Sequence, residues 1–248
     1  MKKIIRFGKN TKLADVIHSD YTLIPVITRF GIGFGFGDDT IAQICEKYTI
    51  NLHFFLEILS AFHDPEYESG NGFSDFSHKQ IIDYLLDSHR YYKETKIPLI
   101  EDLLNQLNWT DSENDKNKVV LKNFFEEYKR EVIDHTGHEE KEVFPYILEL
   151  EQAVKDESAS QELLEKIANY PIDSYKDDHS ELDTALLDLK NLIIKFLPSP
   201  ENQSVANRLL IEIFNLERDL QDHARLEENI LVPKVRAMEE HLLKLSRK

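Results

Sequence analysis

The sequence predicts an all-α protein, in which a small helical module at the N-terminus precedes an antiparallel four-helix bundle. Hydrophobic residues make up 41% of the 248 residues, and there are only eight glycines and eight prolines, a composition typical of helical proteins. Apolar residues recur at spacings of three and four along four long segments. Four long helices joined by short turns indicate a bundle in which neighbouring helices run antiparallel.

The first 75 residues differ from the rest of the chain. They contain seven of the eight glycines, four of them in the run FGIGFGFGDD at 30–39. Short helical patterns begin near Thr11, after Asp39 and after Asn51, and Asp39 is an expected N-cap. Residues 64–75 have the composition of a linker. We therefore predict two domains, a helical module with its linker at 1–75 and the bundle at 76–248.

The bundle is predicted to contain helix A at about 77–107, helix B at about 116–154, helix C at about 160–196 and helix D at about 203–245. Helix C is expected to be loosened near Pro171. Pro145 and Pro233 lie inside helices B and D, where a proline kinks or ends a helix because it lacks an N–H group.

Charge and cysteine content exclude several classes of protein. The net charge of −16, with ten Asp and Glu against seven Lys and Arg in the first 75 residues, argues against binding to nucleic acid or to anionic membranes. Cys45 is the single cysteine, so no intramolecular disulfide and no cysteine-based metal cluster can form. No apolar run is long enough to cross a membrane and no secretory signal is visible, so a cytoplasmic protein is predicted.

One pattern occurs twice, on helices B and D. An acidic residue, a histidine, a glutamate and a proline follow one another at identical spacings: Glu131, His135, Glu139 and Pro145, then Asp219, His223, Glu227 and Pro233. Residues four apart lie on the same face of a helix, one turn from each other. With average residue frequencies, ten histidines should give on the order of 0.05 cases of His-x3-Glu-x5-Pro. Two cases therefore indicate a shared function.

Helices A and C each contribute one further histidine, and the six side chains could converge in the core of the bundle. Imidazole and carboxylate ligands together favour two iron or manganese ions, with zinc as an alternative. Two glutamates could bridge the metals while each metal takes two histidines. Positions would then remain open for water, an oxo bridge or a diatomic ligand. The predicted metal ligands are His89, His135, Glu139, His179, His223 and Glu227.

The neighbouring charged residues have simpler interpretations. Glu131 and Asp219 are predicted to be solvated, and the alternative for Glu131 is that it orients a ligand or relays a proton. Asp183, one turn after His179, is an alternative further ligand. The ordinary charged face beside the ligands is expected to contain His138, Glu140 and Glu142.

The segments HTGHEEKEVFP (135–145) and HARLEENILVP (223–233) resemble the two metal-binding segments of hemerythrin-like proteins. With its N-terminal module, nearly the whole chain resembles the repair-of-iron-centres proteins, bacterial di-iron proteins linked to nitric oxide and oxidative stress. The resemblance implies a hemerythrin-like bundle holding two iron ions bridged by carboxylates and an oxo group. It implies four histidine ligands, His89, His135, His179 and His223, and two bridging carboxylates, Glu139 and Glu227.

Two departures from the resemblance affect the expected chemistry. Oxygen-carrying hemerythrins have a fifth histidine where this chain has Asp183, which disfavours simple oxygen carriage. Gly35 and Phe36 stand where the repair proteins have an adjacent cysteine pair, so the thiol chemistry of that pair is absent. The module is then expected to serve in docking or dimerisation.

Two classes of function stay open at this point. In the first, the di-iron site acts on nitric oxide, oxygen or peroxide, or supplies iron to damaged iron–sulfur client proteins. An external reductase would be needed, since no flavin or nicotinamide fingerprint is present. In the second, the protein is a non-enzymatic sensor or carrier of oxygen or nitric oxide. A metal-free bundle is a further alternative, and it would bury unneutralised polar groups at a cost of several kcal/mol. Enzymatic activity and the oligomeric state are left open.

Overall fold

The computed structural model describes residues 6–67, 76–109, 114–174 and 179–246, and it gives no side-chain surroundings for 114–115 and 179–183. The all-α prediction is confirmed: within these ranges the chain forms helices and no β-strand, apart from one antiparallel bridge between Lys12 and Thr40. The chain divides into two compact units, Met1–Asp87 and Ser88–Lys248. The domain boundary predicted at residue 75 falls outside the described residues and stays a prediction.

The N-terminal unit contains the short helices expected from the sequence. They are α1 (Leu13–Ser19), a 3-10 turn (Tyr21–Leu23), α2 (Ile24–Arg29), α3 (Ile41–Tyr48) and α4 (Leu52–His63). Helix α4 begins after Asn51 as expected, and the Asn51 side chain caps it by accepting a hydrogen bond from the Phe54 N–H. The cap of α3 is Thr40 rather than Asp39. Thr40 and Gln43 each accept a hydrogen bond from the other's backbone N–H, and this reciprocal capping box fixes the start of the helix.

The glycine-rich turn has a backbone that a cysteine would not readily adopt. Gly35 has a φ of 93°, in the region that residues with a side chain rarely enter, so the local conformation agrees with the absence of the cysteine pair. Cys45 is buried in α3, and burial raises the pKa of its thiol to about 11. The N-terminal unit therefore presents no reactive thiolate at neutral pH.

The second unit contains most of the four long helices. Helix A consists of α5 (His78–Tyr91), the π-helical segment Tyr92–Lys96 and α6 (Ile97–Gln106). Helix B consists of α7 (Asn114–His138), the π segment Glu139–Val143 and α8 (Phe144–Lys155). Helix D consists of α11 (Gln203–Leu226), the π segment Glu227–Leu231 and α12 (Val232–Leu245). The boundary between the two units lies within α5.

Helix C, predicted at about 160–196 and expected to be loosened near Pro171, is interrupted there. The structure has α9 (Gln161–Asn169), a 3-10 turn at 172–174, α10 (His179–Asn191) and the π segment Leu192–Phe196. Pro171 explains the break, because the residue before a proline is disfavoured in the α conformation. Tyr170 accordingly leaves the helical region, with φ −139° and ψ 64°.

Each π segment ends two residues before a proline. The residue between them donates its backbone N–H to a carbonyl five positions back: Ile97 to Tyr92, Phe144 to Glu139, Leu197 to Leu192 and Val232 to Glu227. Proline has no N–H to donate and its ring crowds the carbonyl four residues earlier. In these helices the conflict is resolved by a wider turn, a feature often found at functional sites. The kinks predicted at Pro145 and Pro233 take this form.

The long helices pack around one apolar core. Helix α6 packs on α7 and α11, α10 packs on the same two helices, and α8 packs on α12. Fully buried core side chains include Ile100, Phe125, Leu189, Leu209 and Ile213. None of the described helices combines the length and hydropathy needed to span a bilayer.

Candidate metal centre

Four of the six predicted ligands meet inside the second unit. His89 lies near the end of α5 and His223 near the end of α11, while Glu139 and Glu227 are the first residues of the π segments in helices B and D. One ligand atom from each side chain lies within 4.8 Å of the other three, and all four residues are buried. A cluster of two imidazoles and two carboxylates below the surface is the donor set of a transition-metal site.

The separations within the cluster agree with ligands that share a metal ion. The Nε2 atoms of His89 and His223 are 3.2 Å apart, and Nε2 of His89 lies 3.2 Å from Oε2 of Glu139. Nε2 of His223 lies 3.1 Å from Oε1 of Glu227. Adjacent ligands that each lie about 2.1 Å from one ion are separated by roughly 3.0–3.5 Å. The residues present therefore fit a bound metal.

The carboxylate of Glu139 has histidines on both of its oxygens. Oε2 faces His89, and Oε1 lies 3.5 Å from Nε2 of His135 one turn earlier on helix B. His135 thus lies at the outer end of the cluster, with 12% of its side chain exposed. A carboxylate whose two oxygens face different imidazoles is suited to bridging two metal ions.

The predictions for His179 and Asp183 fall on side chains that lie outside the described residues. His179 is the first residue of α10, and the surroundings of its side chain lie outside the described residues, as do those of Asp183. The full set of six ligands, and the alternative that includes Asp183, stay predictions.

Burial and charge act in opposite directions on His89. The ring is fully buried, which disfavours the charged form, but the hydrogen bond and negative charge of Glu139, with the charge of Glu227, outweigh burial and raise the pKa. The two carboxylates therefore favour a positive charge at this place, and a metal ion must compete with a proton for the imidazole.

Glu140 was expected to belong to the ordinary charged face beside the ligands, but it contacts a ligand. Its Oε1 lies 3.0 Å from Nδ1 of His89 and accepts a 2.6 Å hydrogen bond from Nζ of Lys93. Burial raises the pKa of the Glu140 carboxyl, but these two partners outweigh burial and the net pKa is lowered. The sequence contained one indication of this contact: Lys93 follows His89 by one helical turn, so the two side chains share a face of helix A. Glu142, by contrast, is exposed, and it pairs at 3.8 Å with His138, whose side chain is partly exposed.

The acidic residues next to His223 are also less solvated than predicted. Asp219 is buried, which corrects the expectation of a solvated position, while Glu131 on helix B is half-buried. Asp222, which the sequence did not single out, is buried as well and lies 2.9 Å from the Arg225 guanidinium. Burial raises the pKa of Asp222 to about 6 despite this arginine.

We expect the free energy of unfolding of the metal-free protein to fall as pH rises from about 4 to about 6, because the folded state holds the Asp222 proton more tightly than the unfolded chain. Asp222→Asn removes this dependence. After allowance for the lost ion pair with Arg225, the substitution should raise the free energy of unfolding by about 1–2 kcal/mol above about pH 7. Near pH 4 it should change the free energy of unfolding little. Urea unfolding at both pH values measures the effect. The exposed Asp188→Asn variant is the control, and equal effects at the two pH values would contradict the expectation.

Comparisons with known proteins agree with this geometry. A family model described as the hemerythrin HHE cation binding domain matches residues 80–235, a range that contains all six predicted ligands. The chain therefore belongs to the hemerythrin family.

It is also similar along its length to proteins named iron-sulfur cluster repair protein ScdA, which confirms the resemblance to the repair proteins. The relative from Staphylococcus haemolyticus strain JCSC1435 is 18% identical over 224 residues, 90% of this chain and 96% of that protein. A relative from Staphylococcus epidermidis strain RP62A is 22% identical over 230 residues, 92% of this chain and 98% of that protein.

Proposed function

We propose that this chain is a non-haem di-iron protein that takes part in the repair of iron–sulfur centres damaged by nitric oxide or reactive oxygen species. The observation that carries the proposal is the buried cluster of His89, Glu139, His223 and Glu227, whose ligand atoms lie within 4.8 Å of one another. The printed names of the relatives, which describe iron–sulfur cluster repair, support the choice of process. The cytoplasmic location expected from the sequence stays a prediction.

The residues of the cluster would hold two iron ions, with His135 and His179 completing the ligand set. Iron at this place supplies redox and Lewis-acid chemistry toward a diatomic ligand or peroxide. The chain itself shapes the environment: the Phe144 ring stacks on His89 at 5.7 Å, and the Tyr92 ring meets His223 edge-on at 5.7 Å. Tyr92 also donates a hydrogen bond from its hydroxyl to the Asp219 backbone carbonyl. These aromatic walls keep water from the buried side of the two histidines.

Electrons for turnover would come from outside the chain. The single cysteine is buried with a raised pKa, so its thiol is a poor internal reductant. The proposal therefore includes an external reductase and an iron–sulfur client as partners.

The first test is the metal content of His135→Ala, with His138→Ala as the matched control one turn away. Wild-type protein from iron-replete cells should contain about two irons per chain and absorb in the near ultraviolet as a bridged ferric pair does. Because His135 lies at the outer end of the cluster, its replacement should remove about one of the two irons, since about two histidines serve each metal. The His138 side chain is 39% exposed and is not among the predicted ligands, so its replacement should leave both irons in place. Wild-type protein without iron would contradict the proposed function.

The second test concerns repair. Iron-loaded protein, with a reductant, is incubated with an iron–sulfur dehydratase that nitric oxide has inactivated. We expect the dehydratase to regain activity. The His135→Ala variant should restore less of that activity than the His138→Ala control. Reversible binding of nitric oxide or oxygen without any recovery of the client would instead support a carrier or sensor.

A further inference from the structure

Glu140 connects two residues of helix A across the interface between helices A and B. His89 and Lys93 lie one turn apart on the same face of helix A, and both contact the same carboxylate oxygen. Oε1 of Glu140 is 3.0 Å from Nδ1 of His89 and 2.6 Å from Nζ of Lys93. The side chains of Glu140 and Lys93 are each 30% exposed, so the group lies between the buried cluster and the surface.

The contact with Glu140 decides which ring nitrogen of His89 is available. A neutral imidazole has one N–H donor and one lone pair, and a carboxylate can only accept a hydrogen bond. With the proton on Nδ1 and directed at Glu140, the lone pair is on Nε2. That atom faces the cluster, since it lies 3.2 Å from both His223 Nε2 and Glu139 Oε2.

The other buried histidine has no equivalent support. Nδ1 of His223 is buried and makes no hydrogen bond to any of the described residues. Its ring is instead held by packing, against the rings of His89 and Tyr92. The two histidines that face each other in the cluster therefore differ at Nδ1, where His89 contacts a carboxylate and His223 makes no hydrogen bond to the described residues.

We propose that Glu140, held in place by Lys93, is a positioning residue that fixes the tautomer and orientation in which His89 presents Nε2 to a metal ion. The inference rests on the proposed metal site. A negative charge on the far side of an imidazole also makes the ring a stronger ligand. Lys93 prevents Glu140 from turning into the cluster, where it would compete with Glu139 as a ligand. The competing interpretation is an ordinary salt bridge between helices, which would leave metal binding unchanged.

The test uses metal-free full-length protein titrated with Co²⁺, whose visible absorption reports the ligands and whose affinity is measured by competition with a chelator. Glu140→Ala removes the acceptor and should weaken Co²⁺ binding by about 10- to 100-fold. Glu140→Gln keeps a neutral oxygen acceptor, so its loss should be smaller than that of the alanine variant. Glu142→Ala changes an exposed carboxylate in the same π segment and should bind as the wild type does.

A spectroscopic measurement separates positioning from a general loss of stability. In the Co²⁺-loaded wild type, the Nδ1–H proton of His89 should give a paramagnetically shifted resonance that exchanges slowly with water. The resonance should broaden or vanish in Glu140→Ala and persist in Glu142→Ala. Equal Co²⁺ affinity in wild type and Glu140→Ala, or a slowly exchanging resonance in both, would overturn the inference and leave the metal site intact. Absence of Co²⁺ binding by the wild type would overturn the proposed site itself.

Discussion

Replacing His89 with alanine should remove nearly all of the iron. Nε2 of this side chain lies 3.2 Å from both Glu139 and His223, so His89 is the central member of the cluster. Loss of a group that merely supports a ligand typically lowers metal affinity by about 10- to 100-fold, so loss of this ligand should cost more than about 100-fold. The ring is also fully buried, and no solvent-exposed residue can readily take its place.

The measurement is iron per chain after purification, together with the Co²⁺ affinity of the metal-free protein. His241→Ala, which changes an exposed histidine on α12, is the control and should retain both metals. Circular dichroism should show that His89→Ala keeps its helices, because other side chains form the apolar core of the bundle. A His89→Ala protein with the iron content and absorption of the wild type would contradict the assignment of His89 as a ligand.

Replacing Lys96 with methionine should destabilise the bundle by about 3 kcal/mol, because removing one member of a buried ion pair leaves the other charge uncompensated. Nζ of Lys96 lies 2.6 Å from Oε2 of Glu212, and only 9% and 19% of the two side chains are exposed. Methionine retains the apolar stem of lysine and fills most of the same space. The loss should therefore come from the stranded carboxylate of Glu212 on helix D, and urea unfolding of the metal-free protein measures it.

The double variant Lys96→Met, Glu212→Leu distinguishes this explanation from a packing defect. With both charges gone, the site becomes apolar and the free energy of unfolding should return to within about 1 kcal/mol of the wild type or exceed it. Lys79→Met, which breaks an exposed pair with Asp83, should cost less than about 1 kcal/mol. If the double variant is no more stable than Lys96→Met alone, the uncompensated charge is not the cause.

The sequence was sufficient for the local half of the metal centre. A spacing of four residues places His135 beside Glu139 and His223 beside Glu227, because the helix repeat dictates that these pairs share a face. The contact between His89 and His223 joins residues 134 positions apart, and it depends on how helices A and D are packed. The periodicity of apolar residues indicates which face of a helix is buried. It does not determine how far one helix is shifted along its axis relative to its neighbour.

Where the structure differs from the sequence-based predictions, the cause is packing or local backbone conformation that the residue pattern does not reveal. Glu140 is adjacent to Glu139 and looks like part of a charged surface, but Lys93 on the neighbouring helix neutralises it and allows half-burial. Asp219 was expected to be solvated because isolated charged residues in helices usually are, yet it lies against the packed interior. Helix C was expected to be loosened near Pro171, and the backbone at Tyr170 leaves the helical region altogether, so the predicted helix is divided.

The π segments in helices B and D have a consequence for anyone who wishes to transplant this metal centre into another scaffold. Glu139 and Glu227 each begin a turn that contains one residue more than an ideal helix allows, and each turn depends on the proline that follows. A straight helix carrying His-x3-Glu would reproduce the spacing of the donors along the chain. It would also rotate everything beyond the glutamate by about 100° relative to this protein, since each residue adds that angle to an α-helix. The smallest unit that can be copied therefore extends from the histidine to the proline.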